Sequence, residues 1–207
     1  MKKLTALLLV ALMLLTTCLA FTGCGQSDYA QIKEKGYFVC GITNYKPMNY
    51  IDDEDNLVGF DTEFAQAVAA ELGLEAKFQF ITWGSKYTEL NSGAIDCIWN
   101  GYTFGDESDG TPRSNYVDFT HAYLNNSQCI VTRTEDLATL NSKEAFAGKR
   151  GAAEASSSGE AVAKALCGEA NYTAVTAQAN ALMELAAGTV DFVVIDILMA
   201  QSLVGQV

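Results

Sequence analysis

The sequence predicts an α/β chain made of two successive strand–helix units. Three observations point to this class. Short apolar runs of strand length alternate with segments of helical periodicity, glycines close several of these segments, and the same rhythm restarts after a strand-like connector at residues 127–133. With 207 residues and an apolar share of 49%, the chain can bury a sizeable core.

The elements follow in order. Residues 37–43, YFVCGIT, form an apolar run that reads as a buried strand. Asp61 is placed to cap a helix in which Phe64, Ala65, Val68, Ala69 and Leu72 recur at helical spacing, and Gly73 stops it. Residues 77–81 are the next strand. A short helix over 86–91, with Tyr87 and Leu90 inward, ends near Gly93 and leads into a strand over 95–99, completing a β-α-β-α-β unit. After the connector comes a helical patch over 142–147. The second unit then has a strand at 151–153, helices at 158–166 and 178–187, and a strand at 190–195.

The first two dozen residues stand apart. Lys2 and Lys3 precede an apolar run over 4–15, followed by small and polar residues up to Cys24 and Gly25, the layout of a secretory signal. The run is shorter than the roughly 20 residues that a membrane-spanning helix needs. Phe21-Thr22-Gly23 before Cys24 resembles the lipobox of bacterial lipoproteins, with Phe21 where Leu is usual. That resemblance implies a signal over 1–24 and acylation of Cys24, palmitate included, with several chains holding the protein to the membrane where one would be marginal. Cys18 leaves with the signal.

Acidic residues number 25 against 13 basic ones, a net charge of −12, and loss of Lys2 and Lys3 makes the remainder more acidic still. This balance excludes nucleic acid as a partner and a polybasic membrane-binding surface. Of the other cysteines, Cys40, Cys97 and Cys129 sit in apolar runs and Cys167 follows a helical one. They read as buried free thiols, with a Cys40–Cys97 bridge as the alternative if those strands are neighbours. The cysteine spacing fits no zinc pattern and His121 is the single histidine, so no metal or cofactor is expected. The acidic runs at 52–55 and 106–110 read as solvated turns, and His121 as a packed or hinge-side residue.

Chemistry concentrates in residues 91–123. An apolar strand there enters a glycine-broken turn, Trp99-Asn100-Gly101-Tyr102-Thr103, and Arg113 follows just before another apolar stretch. Backbone N–H groups, a hydroxyl and a guanidinium shaped to fork onto a carboxylate form a cradle for a small anion.

Five segments in order are similar to the solute-binding proteins of bacterial polar amino-acid ABC importers. They are Val58-Gly59-Phe60-Asp61, Leu90-Asn91-Ser92-Gly93-Ala94-Ile95-Asp96, the 99–103 turn, the Arg113-to-Phe119 spacing and Val190-Asp191-Phe192-Val193-Val194-Ile195-Asp196. The resemblance runs from about Tyr37 to the last residue. It implies a two-lobed clamp of the periplasmic-binding-protein kind, each lobe a sheet flanked by helices. Lobe 1 is expected over 28–127, and the connector with an incomplete lobe 2 over 128–207, since family members continue beyond the position of Val207.

The resemblance also implies roles. Arg113 matches the residue that binds the ligand's α-carboxylate, and Asp196 the one that receives its α-ammonium. Gly101 and Thr103 match a turn adding backbone and hydroxyl contacts, and Ser157 matches the serine of a loop at a helix start. Tyr45 and Trp83 fall where aromatics pack on the ligand. Each has a plainer reading as well: Arg113 as a surface arginine, Asp196 and Ser157 as helix caps, Tyr45 and Trp83 as core aromatics. Physical chemistry supports the pairing, because a zwitterion in a dry cleft needs one cation and one carboxylate, and unpaired buried charges cost several kcal/mol. Residues 104–110 stand as an insertion where the family has a short link, expected to bulge at the cleft rim while Thr111 and Pro112 return Arg113 to the cleft.

The function implied is that of a monomeric extracytoplasmic component, lipid-anchored to the cell membrane, that captures a free amino acid and hands it to ABC permease subunits. No reaction is implied. The alternatives are a dehydratase-type enzyme on the same scaffold, for which only Glu154 and His121 offer acid–base groups, and a ligand-sensing module.

Overall fold

The computed structural model describes residues 27–205, so the predicted signal and Cys24 lie outside the described residues. The described residues divide into two compact units, one ending at Tyr37 and the other beginning at Phe38. In the first, helix α1 (Asp28–Lys35) is capped by the Ser27 hydroxyl, which accepts from the Ala30 N–H, and closes on Gly36 in the left-handed conformation. Strand β1 (Tyr37–Ile42) begins at its last residue.

The second unit holds two α/β sheets. Strands β2 (Tyr50–Ile51) and β3 (Leu57–Val58) make a small hairpin, and helix α2 (Phe60–Leu72) follows. Strand β4 (Glu75–Phe80), helix α3 (Lys86–Asn91) and strand β5 (Cys97–Ile98) complete the first sheet, whose order is β4-β1-β5. Strands β1 and β5 are parallel, with Cys40 opposite Cys97. The two strands are therefore neighbours, but the thiols are free, their sulfurs 3.8 Å apart. The mutual contact and burial push the Cys40 thiol far above its ordinary pKa.

Asp61 does not cap α2. Gly59 precedes the helix without a side-chain cap, and Asp61 in the first turn is fully buried, its carboxylate accepting from the Tyr123 hydroxyl at 2.9 Å. Gly73 closes the helix in the left-handed conformation, as its position predicts. Leu72, expected inward, is 39% exposed.

The second sheet is built from β6 (Gln128–Thr132), β7 (Gly151–Glu154), β8 (Tyr172–Val175) and β9 (Phe192–Asp196), in the order β6-β9-β7-β8. Strand β8 and the β2–β3 hairpin were not expected from the sequence. Helices α4 (Ser158–Cys167), α5 (Gln178–Ala186) and α6 (Ile197–Leu203) cover the sheet. Strand β9 explains why: Val193 and Ile195 join one core with Ala181, Leu185 and Met199, whereas Phe192 and Val194 join another with Ala163, Cys167 and Phe146. Alternate side chains point to opposite faces, so a strand clad on both faces reads as an unbroken apolar run.

Phe192 is fully buried against Phe146, with ring centroids 4.8 Å apart. Phe192→Ala is expected to cost about 3–5 kcal/mol in urea unfolding. Met183→Ala, on the exposed side of α5, is expected to stay within about 0.5 kcal/mol.

Candidate functional site

The parallel strands and the turns after them bring the chemistry to one end of each sheet. Thr43 and Tyr45 follow β1, the 99–103 turn follows β5, Ser156 and Ser157 follow β7, and Asp196 ends β9. The carboxyl ends of parallel strands are where α/β proteins place ligands. Antiparallel β6 enters at the same end, because Gln128 lies opposite Asp196 in the register.

Asp196 is buried and its carboxylate is held by two amides. Gln128 Nε2 donates to Oδ1, Gln178 Nε2 donates to Oδ2 at 2.7 Å, and Gln178 Oε1 accepts from the Asp196 N–H at 2.8 Å. Burial raises the pKa of Asp196, and these amides oppose the rise. Tyr45 packs in the apolar core with its hydroxyl accepting from Asn126 Nδ2 at 3.4 Å, and burial followed by the charge of Asp196 pushes its pKa up. Its ring also explains Gly101: a Cβ there would lie 2.4 Å from Tyr45 Cε1.

Arg113 sits in a single helical turn, Arg113–Asn115, and is 1% exposed, so it is not a surface arginine. Nη1 donates to the Thr103 carbonyl at 2.9 Å, and the guanidinium lies over the Tyr102 ring. The Thr103 side chain is exposed, and what this residue gives Arg113 is its backbone carbonyl. The insertion keeps Phe104, Asp106 and residues 108–110 exposed, while one of its side chains turns inward. A tight turn, with Glu107 N–H donating to the Thr111 carbonyl and Asp106 bridged to Pro112, directs Glu107 inward. Its carboxylate lies 3.4 Å from Arg113 Nε and 3.3 Å from Lys86 Nζ, and it accepts from the Tyr87 hydroxyl.

Lys86 went unnoticed in the sequence because a lysine on a short polar helix normally faces water. It is 1% exposed, lies over the rings of Trp83 and Tyr87, and donates to the Ser156 carbonyl at 3.4 Å. Burial lowers its pKa, against the pull of Glu107. Trp83 is buried edge-on against Tyr102, and Ser157 caps α4, its hydroxyl accepting from the Glu160 N–H at 3.3 Å. His121 is exposed rather than packed.

Glu154 ends β7 and is buried, and desolvation followed by the charge of Asp196 pushes its pKa from 4.5 to about 8. The site therefore collects two buried cations, Arg113 and Lys86, and three acids, Glu107, Glu154 and Asp196. Among the described residues no ion pair joins Arg113 to Asp196, and no group of His, Cys, Asp and Glu is placed to hold a metal. An apolar groove lined by Ile130, Leu137, Phe146, Val162 and Leu166 lies elsewhere and contributes Lys143 alone of the titratable side chains.

Because the folded protein holds the Glu154 proton more tightly than the unfolded chain, stability falls as pH rises from about 4.5 to about 8. Asp61, raised by burial to about 6, acts in the same direction. Thermal melts across this window are expected to show a shallower decline for Glu154→Gln than for the wild type.

Residues 38–149, more than half the chain, match the family described as bacterial extracellular solute-binding proteins, family 3. The chain is 33% identical over 127 residues to the arginine-binding extracellular protein ArtP of Bacillus subtilis, covering 60% of this chain and 48% of that protein. Among solved structures, it is similar to the arginine-bound form of a truncated ArgBP from T. maritima, with TM-score 0.77 and 28% identity over 85% of this chain and 81% of that one. It is also similar to an ABC uptake transporter substrate-binding protein from Streptococcus pneumoniae with bound histidine, with TM-score 0.76 and 27% identity over 84% and 71%. The chain spans about half the length of the relatives it matches in sequence. Family match and shared α/β architecture agree, and the chain belongs to the bacterial extracellular solute-binding proteins, family 3.

Proposed function

We propose that this chain captures a free amino acid outside the cytoplasm and delivers it to the permease subunits of an ABC importer. The observation that carries the reading is the pair of buried opposite charges at the carboxyl ends of the two sheets, Arg113 and Asp196, which are not joined to each other. A zwitterion satisfies both, its carboxylate on the guanidinium and its ammonium on the aspartate. Gly101, Tyr45, Trp83 and Ser157 line the same region in this reading, and Thr103 positions Arg113. Relatives named for binding arginine, cystine and histidine support an amino-acid ligand.

The finer assignments belong to the same proposal. Lobe 1 spans 28–127 and the connector with lobe 2 begins at 128, so that binding draws the two together. Residues 1–24 direct export, and Cys24 carries the lipid that holds a monomeric protein at the membrane.

Calorimetry against the common amino acids is expected to find one or a few tight ligands. Arg113→Ala and Asp196→Ala are each expected to weaken binding by about two orders of magnitude or more, since each leaves a desolvated charge without its partner. Binding untouched by both substitutions overturns the site.

The protein binds without catalysis in this reading, although Glu154 is the buried acid that a dehydratase on this scaffold would use. Prephenate and arogenate incubated with the protein are expected to be recovered unchanged, as followed by chromatography.

A further inference from the structure

We infer that Glu107 is an internal carboxylate ligand of the site: it sits against the Arg113 guanidinium, and an incoming amino acid binds by exchanging its own carboxylate for it. The inference rests on the reading that Arg113 receives the ligand's carboxylate. It assigns a role to the 104–110 segment, which would otherwise be a solvated acidic turn.

The geometry is that of a stretched fork. Glu107 Oε1 stands 3.4 Å from Arg113 Nε and Oε2 stands 3.5 Å from Nη2, the two-on-two alignment of a bidentate pair. A closed charge-assisted fork has N···O distances of about 2.7–2.9 Å. Arg113 Nε, buried, has no hydrogen-bond partner at all, so the tethered carboxylate neutralises the guanidinium without completing its hydrogen bonds. The other side of the guanidinium is already used, Nη1 on the Thr103 carbonyl. The Nε–Nη2 edge is thus the one left for a better-fitting carboxylate.

The turn explains why the fork stays open. Glu107 N–H donates to the Thr111 carbonyl at 2.8 Å, Gly110 N–H donates to the Glu107 carbonyl at 3.0 Å, and Arg113 N–H donates to the Gly105 carbonyl at 2.9 Å. These bonds fix the backbone on both sides of Glu107. Its side chain reaches Arg113 without the freedom to close on it, whereas a free carboxylate has no such tether.

Displaced from Arg113, Glu107 need not go to water. Its carboxylate already lies 3.3 Å from Lys86 Nζ and accepts from the Tyr87 hydroxyl. Lys86 also donates to the Ser156 carbonyl, next to the cap of α4. The exchange leaves two cations facing two carboxylates, so no buried charge is stranded, and stranding is the costly outcome. The segment therefore sets affinity and favours ligands with a carboxylate able to outcompete an internal one.

Two measurements test this. In thermal melts at equal ionic strength, sodium acetate is expected to stabilise Glu107→Ala over sodium chloride and to leave the wild type unmoved, because only the variant has a vacated carboxylate position. In calorimetry, Glu107→Gln, which keeps the shape and removes the charge, is expected to bind the amino-acid ligand about ten-fold tighter than the wild type or more. A merely structural glutamate predicts the opposite sign, weaker binding on replacement. The inference is overturned if acetate gives Glu107→Ala no advantage, or if Glu107→Gln binds no tighter than the wild type. If acetate stabilises Glu107→Ala while no amino acid binds either protein, the internal carboxylate stands and amino-acid capture is the reading that falls.

Discussion

A guanidinium shut away from water must be met by an anion, and this requirement organises the region around Arg113. The side chain is 1% exposed, and an unpaired charge at that depth would cost several kcal/mol. Glu107 supplies the anion, Lys86 shares it, and Tyr87 and Tyr102 close around both. The aromatic rings matter here because a cation over a ring face keeps part of its electrostatic support after losing water. The cluster sets two cations around one carboxylate and is tied by Lys86 to the loop after β7.

The acidic half of the site is stabilised differently. Among the described residues Asp196 makes no ion pair, and its charge is dispersed into the amides of Gln128 and Gln178. At Glu154 desolvation and the charge of Asp196 outweigh the opposing charge of Lys86 and raise its pKa to about 8, the usual answer of a carboxyl group desolvated near another carboxylate. The two halves therefore differ in readiness: Arg113 is matched by a tethered anion, and Asp196 is a solvated-by-protein anion open to a cation. A zwitterion addresses both at once, which is why the same geometry carries both the proposed capture of an amino acid and the exchange at Arg113.

Much of this was legible in the chain. The helix stop at Gly73 and the unbroken apolar run of β9 follow from local pattern, and the burial of Arg113 and Asp196 accords with the roles that the resemblance to solute-binding proteins implies. Asp61 was misread because an acid at a helix start looks like a cap, whereas here the Tyr123 hydroxyl from 62 residues away claims it. Strand β8 was missed because Tyr172–Val175 is short and half-exposed, and only its parallel register with β7 makes it a strand.

The alternation of elements, the two α/β units and the residue types of a small-anion site follow from the chain alone, because periodicity and side-chain chemistry are local properties. Which charges meet is set by the fold. Glu107 and Lys86 are 21 residues apart and each looks solvated in its own segment, and Gln128 reaches Asp196 through an antiparallel register across 68 residues. Burial and pairing are properties of the assembled sheets, and a turn that is polar by composition becomes part of a buried ion cluster once its backbone hydrogen bonds aim one side chain inward.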